Sequence, residues 1–124
     1  MAWSLSAERS VYLQLIDILK QKILSGEYKP GERLPSVREL AADAEVNPNT
    51  MQRALTELER IGFLYTQRTN GRFVSEDAAR LSELRRDSLA ARAREFLEDM
   101  KKSGLSAEES IELVQKVIAE MAKR

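Results

Sequence analysis

Residues 34–64 decide the fold of this chain, and they read LPSVRELAADAEVNPNTMQRALTELERIGFL. Ser36 and Glu39 are spaced as a capping box, in which a hydroxyl and a carboxylate satisfy the free N–H groups that begin a helix. Asn47 followed by Pro48 marks a second helix start, because proline is tolerated at the first helical position. Apolar residues recur at helical spacing after both starts. The stretch therefore predicts two short helices joined by a tight turn.

The flanking sequence predicts one helix before this pair and two strands after it. Residues 11–25 carry apolar side chains on one face, and the Gly- and Pro-rich residues 26–35 predict a turn with room for a short strand. Residues 63–66 and 72–74 are β-prone and flank Asn70-Gly71, a pair typical of a two-residue hairpin turn with positive φ at both positions. Three helices followed by a hairpin form a winged helix-turn-helix.

After Ser75 the composition changes to Ala, Leu, Arg and Glu, which predicts two long helices. One is expected over about residues 76–103, and the other begins after a second capping box at Ser106. The expected fold is thus mostly α with a small β-hairpin: a winged helix-turn-helix over residues 1–75 and an antiparallel helical hairpin over residues 76–124.

Two helices cannot bury all of the apolar side chains of this C-terminal part against each other alone. We therefore expect the pair to dimerise with the same pair of a second subunit. Trp3, ahead of the first helix, either packs against these dimer helices or remains mobile.

The composition argues against an enzyme. The chain has 124 residues and contains neither Cys nor His, which removes thiol nucleophiles, typical zinc sites and the usual general base. We predict no catalytic site, no metal and no cofactor. Nothing resembles a signal peptide, and no apolar run reaches the roughly 18 residues that a membrane span needs. We expect a soluble, cytoplasmic protein.

Small hydrogen-bonding residues at the start of the third helix predict sequence-specific DNA binding, because base edges and phosphates call for such groups. The overall charge gives this prediction no support. The chain has 20 Lys and Arg against 20 Asp and Glu, and neither half is strongly basic. Affinity for DNA must therefore come from the local placement of charge and from dimerisation. A non-DNA interaction module, in which the winged helix docks proteins, remains the alternative.

The sequence resembles the GntR family of bacterial transcriptional repressors, and its short C-terminal part looks like the YtrA-type branch. The matching pieces are VYLQL from Val11, ILSGEYKPGERLPSVRELA from Ile23, VNPNTMQRALTELERIGFL from Val46, and GRFV from Gly71. The resemblance implies a homodimer that binds an inverted-repeat operator in double-stranded DNA, with one recognition helix in each of two major grooves. It also implies repression of the protein's own operon, which in this branch often contains ABC-transporter genes.

By position, the resemblance assigns DNA contacts to Arg38, to four recognition-helix residues and to Arg68 in the wing. Asn49 can pair with adenine, and Thr50 can contact a phosphate or a thymine methyl group. The full set of predicted DNA-contact residues is Ser36, Arg38, Asn47, Asn49, Thr50, Gln52, Arg53, Arg68, Asn70, Gly71 and Arg72. Thr69 departs from the family's wing, which usually has glycine there, and this puts the minor-groove contact in question.

Structural roles compete with several of these assignments. Asn47 serves either as a cap alone or also as a contact. Arg53 contacts DNA or forms a helical ion pair with Glu57, four residues later. Arg38 pairs either with DNA or with acidic neighbours. A small-molecule effector either binds in a cleft between the DNA-binding and dimer parts or is absent, and its identity cannot be read from the sequence.

Overall fold

The computed structural model describes residues 3–123, which form five helices and one two-stranded antiparallel sheet. The elements in chain order are α1 (Val11–Leu24), α2 (Val37–Ala44), α3 (Pro48–Ile61), β1 (Leu64–Gln67), β2 (Gly71–Val74), α4 (Ala78–Lys102) and α5 (Ala107–Ala122). The predicted class, a winged helix-turn-helix followed by a helical region, is confirmed. Within residues 3–123, no helix combines the length and the apolar character that crossing a membrane requires.

Local capping sets the positions of α2 and α3. The Ser36 hydroxyl accepts the Glu39 N–H at 3.1 Å, and the Glu39 carboxylate accepts the Ser36 N–H at 3.0 Å, so the predicted capping box is present. At the start of α3, the Asn47 side-chain oxygen accepts the Asn49 N–H at 2.7 Å. The turn between the helices contains Glu45 in the left-handed conformation, with φ 59°. These caps fix two short helices in the predicted positions.

The hairpin turn differs from the predicted one. The strands pair from Leu64 with Val74 to Gln67 with Gly71, which leaves three loop residues, 68–70, instead of a two-residue turn. The Asn70 N–H donates to the Gln67 carbonyl at 3.0 Å, and Gly71 alone takes a positive φ, 98°. The loop is therefore a turn closed by a left-handed glycine, an arrangement common in three-residue hairpins. The prediction that both Asn70 and Gly71 occupy a two-residue turn was wrong.

The Gly- and Pro-rich segment before α2 adds a short third edge to this sheet. The Leu34 N–H donates to the Arg72 carbonyl at 2.9 Å, and the Val74 N–H donates to the Glu32 carbonyl at 2.9 Å. Arg33 forms an isolated antiparallel bridge with Phe73. These bonds hold the base of the hairpin against the start of α2.

Trp3 belongs to the core of the helix-turn-helix part, so both alternatives for this residue were wrong. Its side chain is buried, and its indole N–H lies 3.3 Å from the Asp43 carboxylate on α2. Lys22 lies over the ring, 5.1 Å from its centroid. Buried Gln14 bonds through its side chain to the Ser6 backbone at 2.7 and 2.8 Å. The segment before α1 is thus attached to the helices that follow it.

The chain divides into two compact units, the first ending at Arg85 and the second beginning at Arg86. The first unit extends beyond Ser75 because Leu84 of α4 is buried and Leu81 packs against the same core. That core consists of Trp3, Leu15, Ile16, Leu19, Ile23, Leu34, Leu40, Ala41, Ala44, Met51, Ala54, Leu55, Leu58, Phe63, Leu64, Val74 and Leu84. The division of functional domains at residues 75 and 76 stays a prediction.

The second unit contains the end of α4, a turn at Gly104 and α5. A capping box at Ser106 and Glu109 begins α5, with hydrogen bonds of 2.9 and 3.1 Å, as predicted. Ser110 is buried, and its hydroxyl donates to the Ser106 carbonyl at 2.9 Å. The large apolar side chains of this unit that remain exposed are Leu89, Phe96, Leu97, Ile111, Leu113, Val114, Val117, Ile118 and Met121.

Candidate DNA-binding interface

The predicted contact residues come from three places in the first unit: the start of α2, the first turns of α3 and the hairpin. Thr50 and Arg72 are half-buried, and the other nine are exposed. A cleft of about 670 Å³ joins two of these places, because Ser36 of the α2 cap lines it together with Gly71 and Arg72 of β2. The buried face of α3 anchors the recognition helix in the core. The exposed polar side chains of α3 are thus held in place by the packing of its opposite face in the core.

The first turn of α3 contains one side chain used by the fold and one left free. The Asn47 oxygen caps the helix, so the structural role expected for this residue is present, while its amide N–H groups form no hydrogen bond within residues 3–123. The Asn49 side chain is exposed and has no hydrogen-bond partner in the same residues. An unengaged amide presents an NH2 donor group beside a carbonyl acceptor, the pattern that pairs with adenine in the major groove.

Arg53, in the next turn of α3, does not form the expected alternative ion pair. Glu57 is bound instead by Arg60, whose guanidinium contacts both carboxylate oxygens at 2.8 and 2.6 Å. The hydrogen bond from Arg60 lowers the pKa of Glu57 below its ordinary value. The Arg53 guanidinium lies over the Tyr12 ring, 4.5 Å from its centroid. Gln52, on the same turn, is exposed.

The start of α2 presents an arginine beside the carboxylate of the helix cap. Arg38 is exposed and forms no salt bridge or side-chain hydrogen bond with any residue that the structure describes, so the expected pairing with acidic neighbours is absent there. Glu39 is held by the Ser36 backbone N–H, which lowers the pKa of its carboxyl group. The Ser36 hydroxyl accepts a hydrogen bond in the cap and retains its own proton for donation.

The hairpin of β1 and β2, which is the wing, has an exposed tip at residues 68–70 and a base that contacts α3. Arg68 at the tip is exposed, and the Asn70 amide lies 3.3 Å from the Gln67 side-chain oxygen. Arg72 is directed inward: its Nε lies 3.4 Å from Glu59 of α3, and 19% of its side chain is exposed. Glu59 also accepts the Thr66 hydroxyl at 2.7 Å. Arg72 therefore braces the hairpin against the recognition helix.

Glycine is required at position 71 and not at position 69. Gly71 has φ +98°, and an added Cβ would lie 3.3 Å from the Arg33 Nε. Thr69 does not take a positive φ, because Glu45 is the sole non-glycine residue that does so in the described part of the chain. The departure at Thr69 therefore introduces no backbone strain in this loop.

Arg33 is a candidate contact that the sequence analysis missed. It is exposed at the base of the wing, lines the cleft with Ser36 and Arg72, and approaches Gly71. Its charge also contributes to lowering the pKa of Glu39. The sequence places Arg33 in a Gly- and Pro-rich segment that predicts a turn, so nothing local marks it. The possible signal was its position three residues before a capped helix.

Known proteins with similar sequences are regulators. Residues 11–74 match the family described as "Bacterial regulatory proteins, gntR family". YhcF of Bacillus subtilis (strain 168), an uncharacterised HTH-type transcriptional regulator, is 41% identical over 107 residues, which cover 86% of this chain and 88% of that protein. YtrA of the same organism, named as an HTH-type transcriptional repressor, is 36% identical over 112 residues, covering 90% of this chain and 86% of its own length.

Solved structures with a similar fold also include transcriptional regulators. A GntR family transcriptional regulator from Listeria monocytogenes has a TM-score of 0.83 and 37% identity, and the alignment covers 90% of this chain and 98% of that one. The AraR DNA-binding domain, solved in complex with its operator ORR3, has a TM-score of 0.50 and 26% identity, with 60% of this chain and 93% of that one covered. This chain belongs to the GntR family and is a DNA-binding transcriptional regulator of the YtrA type, not an enzyme.

Proposed function

We propose that this protein is a repressor that binds an inverted-repeat operator as a homodimer. The observation that carries the proposal is the free polar surface at the start of α3, where Asn49 is exposed and unengaged on a helix whose opposite face is buried. A rigid helix with free amide and guanidinium groups suits the major groove, which presents a distinct pattern of donors and acceptors for each base pair.

The placement of charge near the interface favours DNA binding even though the chain has no net positive charge. Three carboxylates near the interface already have partners within the fold. Glu39 accepts a hydrogen bond from the Ser36 N–H, Glu57 pairs with Arg60, and Glu59 contacts Arg72 and Thr66. Within residues 3–75, the arginines that form no salt bridge are those at the interface, Arg33, Arg38, Arg53 and Arg68. This pairing leaves cations available for phosphates even though the chain is neutral overall.

The predicted contacts have different roles in this proposal. We assign base reading to Asn49 and Gln52, and phosphate or thymine-methyl contact to Thr50. Arg38 and Arg53 contact phosphates, and the wing tip approaches the minor groove. We assign supporting positions to the residues that the fold already uses, which are Ser36, Asn47, Asn70, Gly71 and Arg72.

Homodimerisation is supported by the exposed apolar surface of the second unit. On α5, Ile111 is 57% exposed, Ile118 59% and Met121 64%. Contiguous apolar surface of this kind marks an interaction site. A second copy would cover it and would bring two recognition helices to the two halves of an operator, so that the second binding event becomes intramolecular.

The regulatory consequences rest on relatives and on the family resemblance. YtrA of Bacillus subtilis is named as a repressor, and the YtrA-type branch implies an operon with ABC-transporter genes. We therefore propose that the protein represses its own transporter operon in the cytoplasm. The proposal includes no effector, and it assigns the cleft lined by Arg33, Ser36 and Arg72 to the DNA-binding surface.

One experiment tests the proposal against the protein-docking alternative, which the zero net charge favours. Duplexes that the purified protein retains from a random-sequence library are sequenced, and the preferred duplex is titrated at increasing salt. We expect recovery of an inverted repeat, and affinity that falls steeply with salt because phosphate contacts release counterions. Failure to enrich any sequence, or affinity independent of salt, would exclude the proposed function.

A further inference from the structure

The ring of Tyr12 on α1 contacts Arg53 of the recognition helix, α3. The Arg53 guanidinium carbon lies 4.5 Å from the centroid of the Tyr12 ring. Tyr12 is half-buried and packs against the core, whereas Arg53 is exposed. A guanidinium within about 6 Å of a ring centroid is attracted by the negative face of the ring. A ring fixed in the fold therefore restricts where this long side chain can go.

Glu57, the acidic residue that could pair with Arg53 on α3, is already bound by another arginine. Glu57 is one helical turn after Arg53, the spacing of a helical ion pair. Its two carboxylate oxygens are instead bound by Arg60 at 2.8 and 2.6 Å. Among the described residues, Arg53 forms no salt bridge and no side-chain hydrogen bond. Its position is held by a ring that accepts no hydrogen bond from it in this structure, so its N–H donors stay available.

We infer that Tyr12 is a positioning residue that holds Arg53 ready to contact a DNA phosphate. The inference rests on the proposed DNA-binding function. The ring draws the guanidinium toward α1, at the edge of the recognition helix. Side chains at the edge of a helix in the major groove face the backbone that borders the groove, and those at its centre face the bases. Tyr12 itself touches no DNA and acts through Arg53.

This arrangement predicts a specific pattern among variants. Tyr12→Leu removes the ring and frees Arg53, which should weaken binding on the order of 5- to 10-fold, because a mobile arginine must be ordered when DNA binds. Tyr12→Phe retains the ring and should bind like the wild type. In an Arg53→Ala background, Tyr12→Leu should have no further effect, since the group that it positions is absent.

The test uses the full-length protein and the duplex that the wild type selects from a random library. Fluorescence anisotropy gives the affinity of each variant at several salt concentrations, and thermal unfolding shows that each variant is folded. Arg53→Ala should reduce the salt slope by about 0.9, the value of one phosphate contact, whereas Tyr12→Leu should weaken binding with a nearly unchanged slope, because Arg53 still reaches the phosphate once it is ordered. If Tyr12→Leu does not fold, Tyr12→Met replaces it, because an unbranched side chain fills irregular space.

Three results would overturn the inference. The first is unchanged affinity for Tyr12→Leu, and the second is equal weakening by Tyr12→Leu with and without Arg53. The third is a loss for Tyr12→Phe as large as that for Tyr12→Leu. In each of these cases the wild type still binds its selected duplex with a salt dependence, so the proposed function stands. If the wild type selects no duplex, the proposed function and the inference fail together.

Discussion

In the first unit, Leu15, Leu19 and Met51 are fully buried, whereas in the second unit Ile118 and Met121 are more than half exposed. Both sets were predicted from the same kind of helical apolar pattern. In the first unit, α1, α2, α3 and the hairpin enclose one core. In the second, α5 buries only Ser110 and exposes a wide arc of large apolar side chains. Amphipathic spacing therefore predicts a buried face without saying which chain covers it.

The largest expected effect comes from placing charge on the exposed apolar face of the second unit, which tests whether a second copy covers that face. Val114→Asp combined with Ile118→Asp puts charge on the apolar surface of α5, and we expect the protein to become monomeric, because buried unpaired carboxylates are costly. Affinity for a two-half-site duplex should then fall on the order of 100-fold, since the second binding event is no longer intramolecular. Sedimentation velocity gives the oligomeric state, and anisotropy gives the affinity.

Gln115→Asp is the matched control for this pair of substitutions. Gln115 is exposed on α5, outside the apolar arc, so the added charge remains in water. This variant should keep the mass and the affinity of the wild type. A Val114→Asp, Ile118→Asp protein that keeps the wild-type mass in solution would show that this face is not the dimer interface.

A smaller effect compares one left-handed glycine in each unit. Gly71 has φ +98° and faces Arg33 Nε at 3.3 Å, whereas Gly104 has φ +93° and faces open space. Alanine at either position should lower the free energy of unfolding by about 1 kcal/mol or more, because L residues are strained at such φ. Gly71→Ala should cost more than Gly104→Ala, and it alone should weaken DNA binding. Urea unfolding and anisotropy measure the two effects, and equal losses in both assays would contradict the role given to the wing base.

The smallest effect concerns a feature that both units share. Glu39 and Glu109 each accept the N–H of a capping serine, which lowers the pKa of each carboxyl group below about 4.5. Because the folded pKa is the lower one, this stabilisation is present above the unfolded pKa and is lost as the pH falls through the folded pKa. We expect the Tm to fall below about pH 5, and to fall less in a protein with both Glu39→Gln and Glu109→Gln.

Glu112→Gln provides the control for the pH series, because Glu112 forms no hydrogen bond or salt bridge within residues 3–123. Its Tm should follow the wild-type pH profile. A double capping variant with the wild-type slope would show that the two boxes contribute nothing to the acid sensitivity.

The features that the sequence predicted well depend on neighbours within about one helical turn. Ser36, Asn47 and Ser106 are caps whose partners lie two or three residues away, so their helices begin where expected. The hairpin was predicted, but its loop was not, because the Gln67–Asn70 turn bond competed with the preference of Asn-Gly for a two-residue turn. Local rules thus find an element more reliably than they find its exact turn.

The missed features depend on residues far apart in the sequence. Trp3 bonds to Asp43, Arg53 lies over Tyr12, and Arg72 pairs with Glu59. None of these pairs has a spacing that a single sequence reveals. For the candidate site, residue type and helix position predicted which side chains are presented, and the tertiary contacts then determined which arginines are free and which brace the fold.

The most direct test of the account is the affinity of Asn49→Ala and Arg38→Ala for the duplex selected by the wild type. Both side chains are exposed, and neither has a side-chain partner in the described residues, so their loss should leave the fold and the dimer intact. We predict that each variant loses about 1–3 kcal/mol of binding free energy, and that Lys116→Ala, an exposed cation on α5, loses none. Wild-type affinity in both Asn49→Ala and Arg38→Ala would contradict the placement of the DNA-binding surface at the starts of α2 and α3.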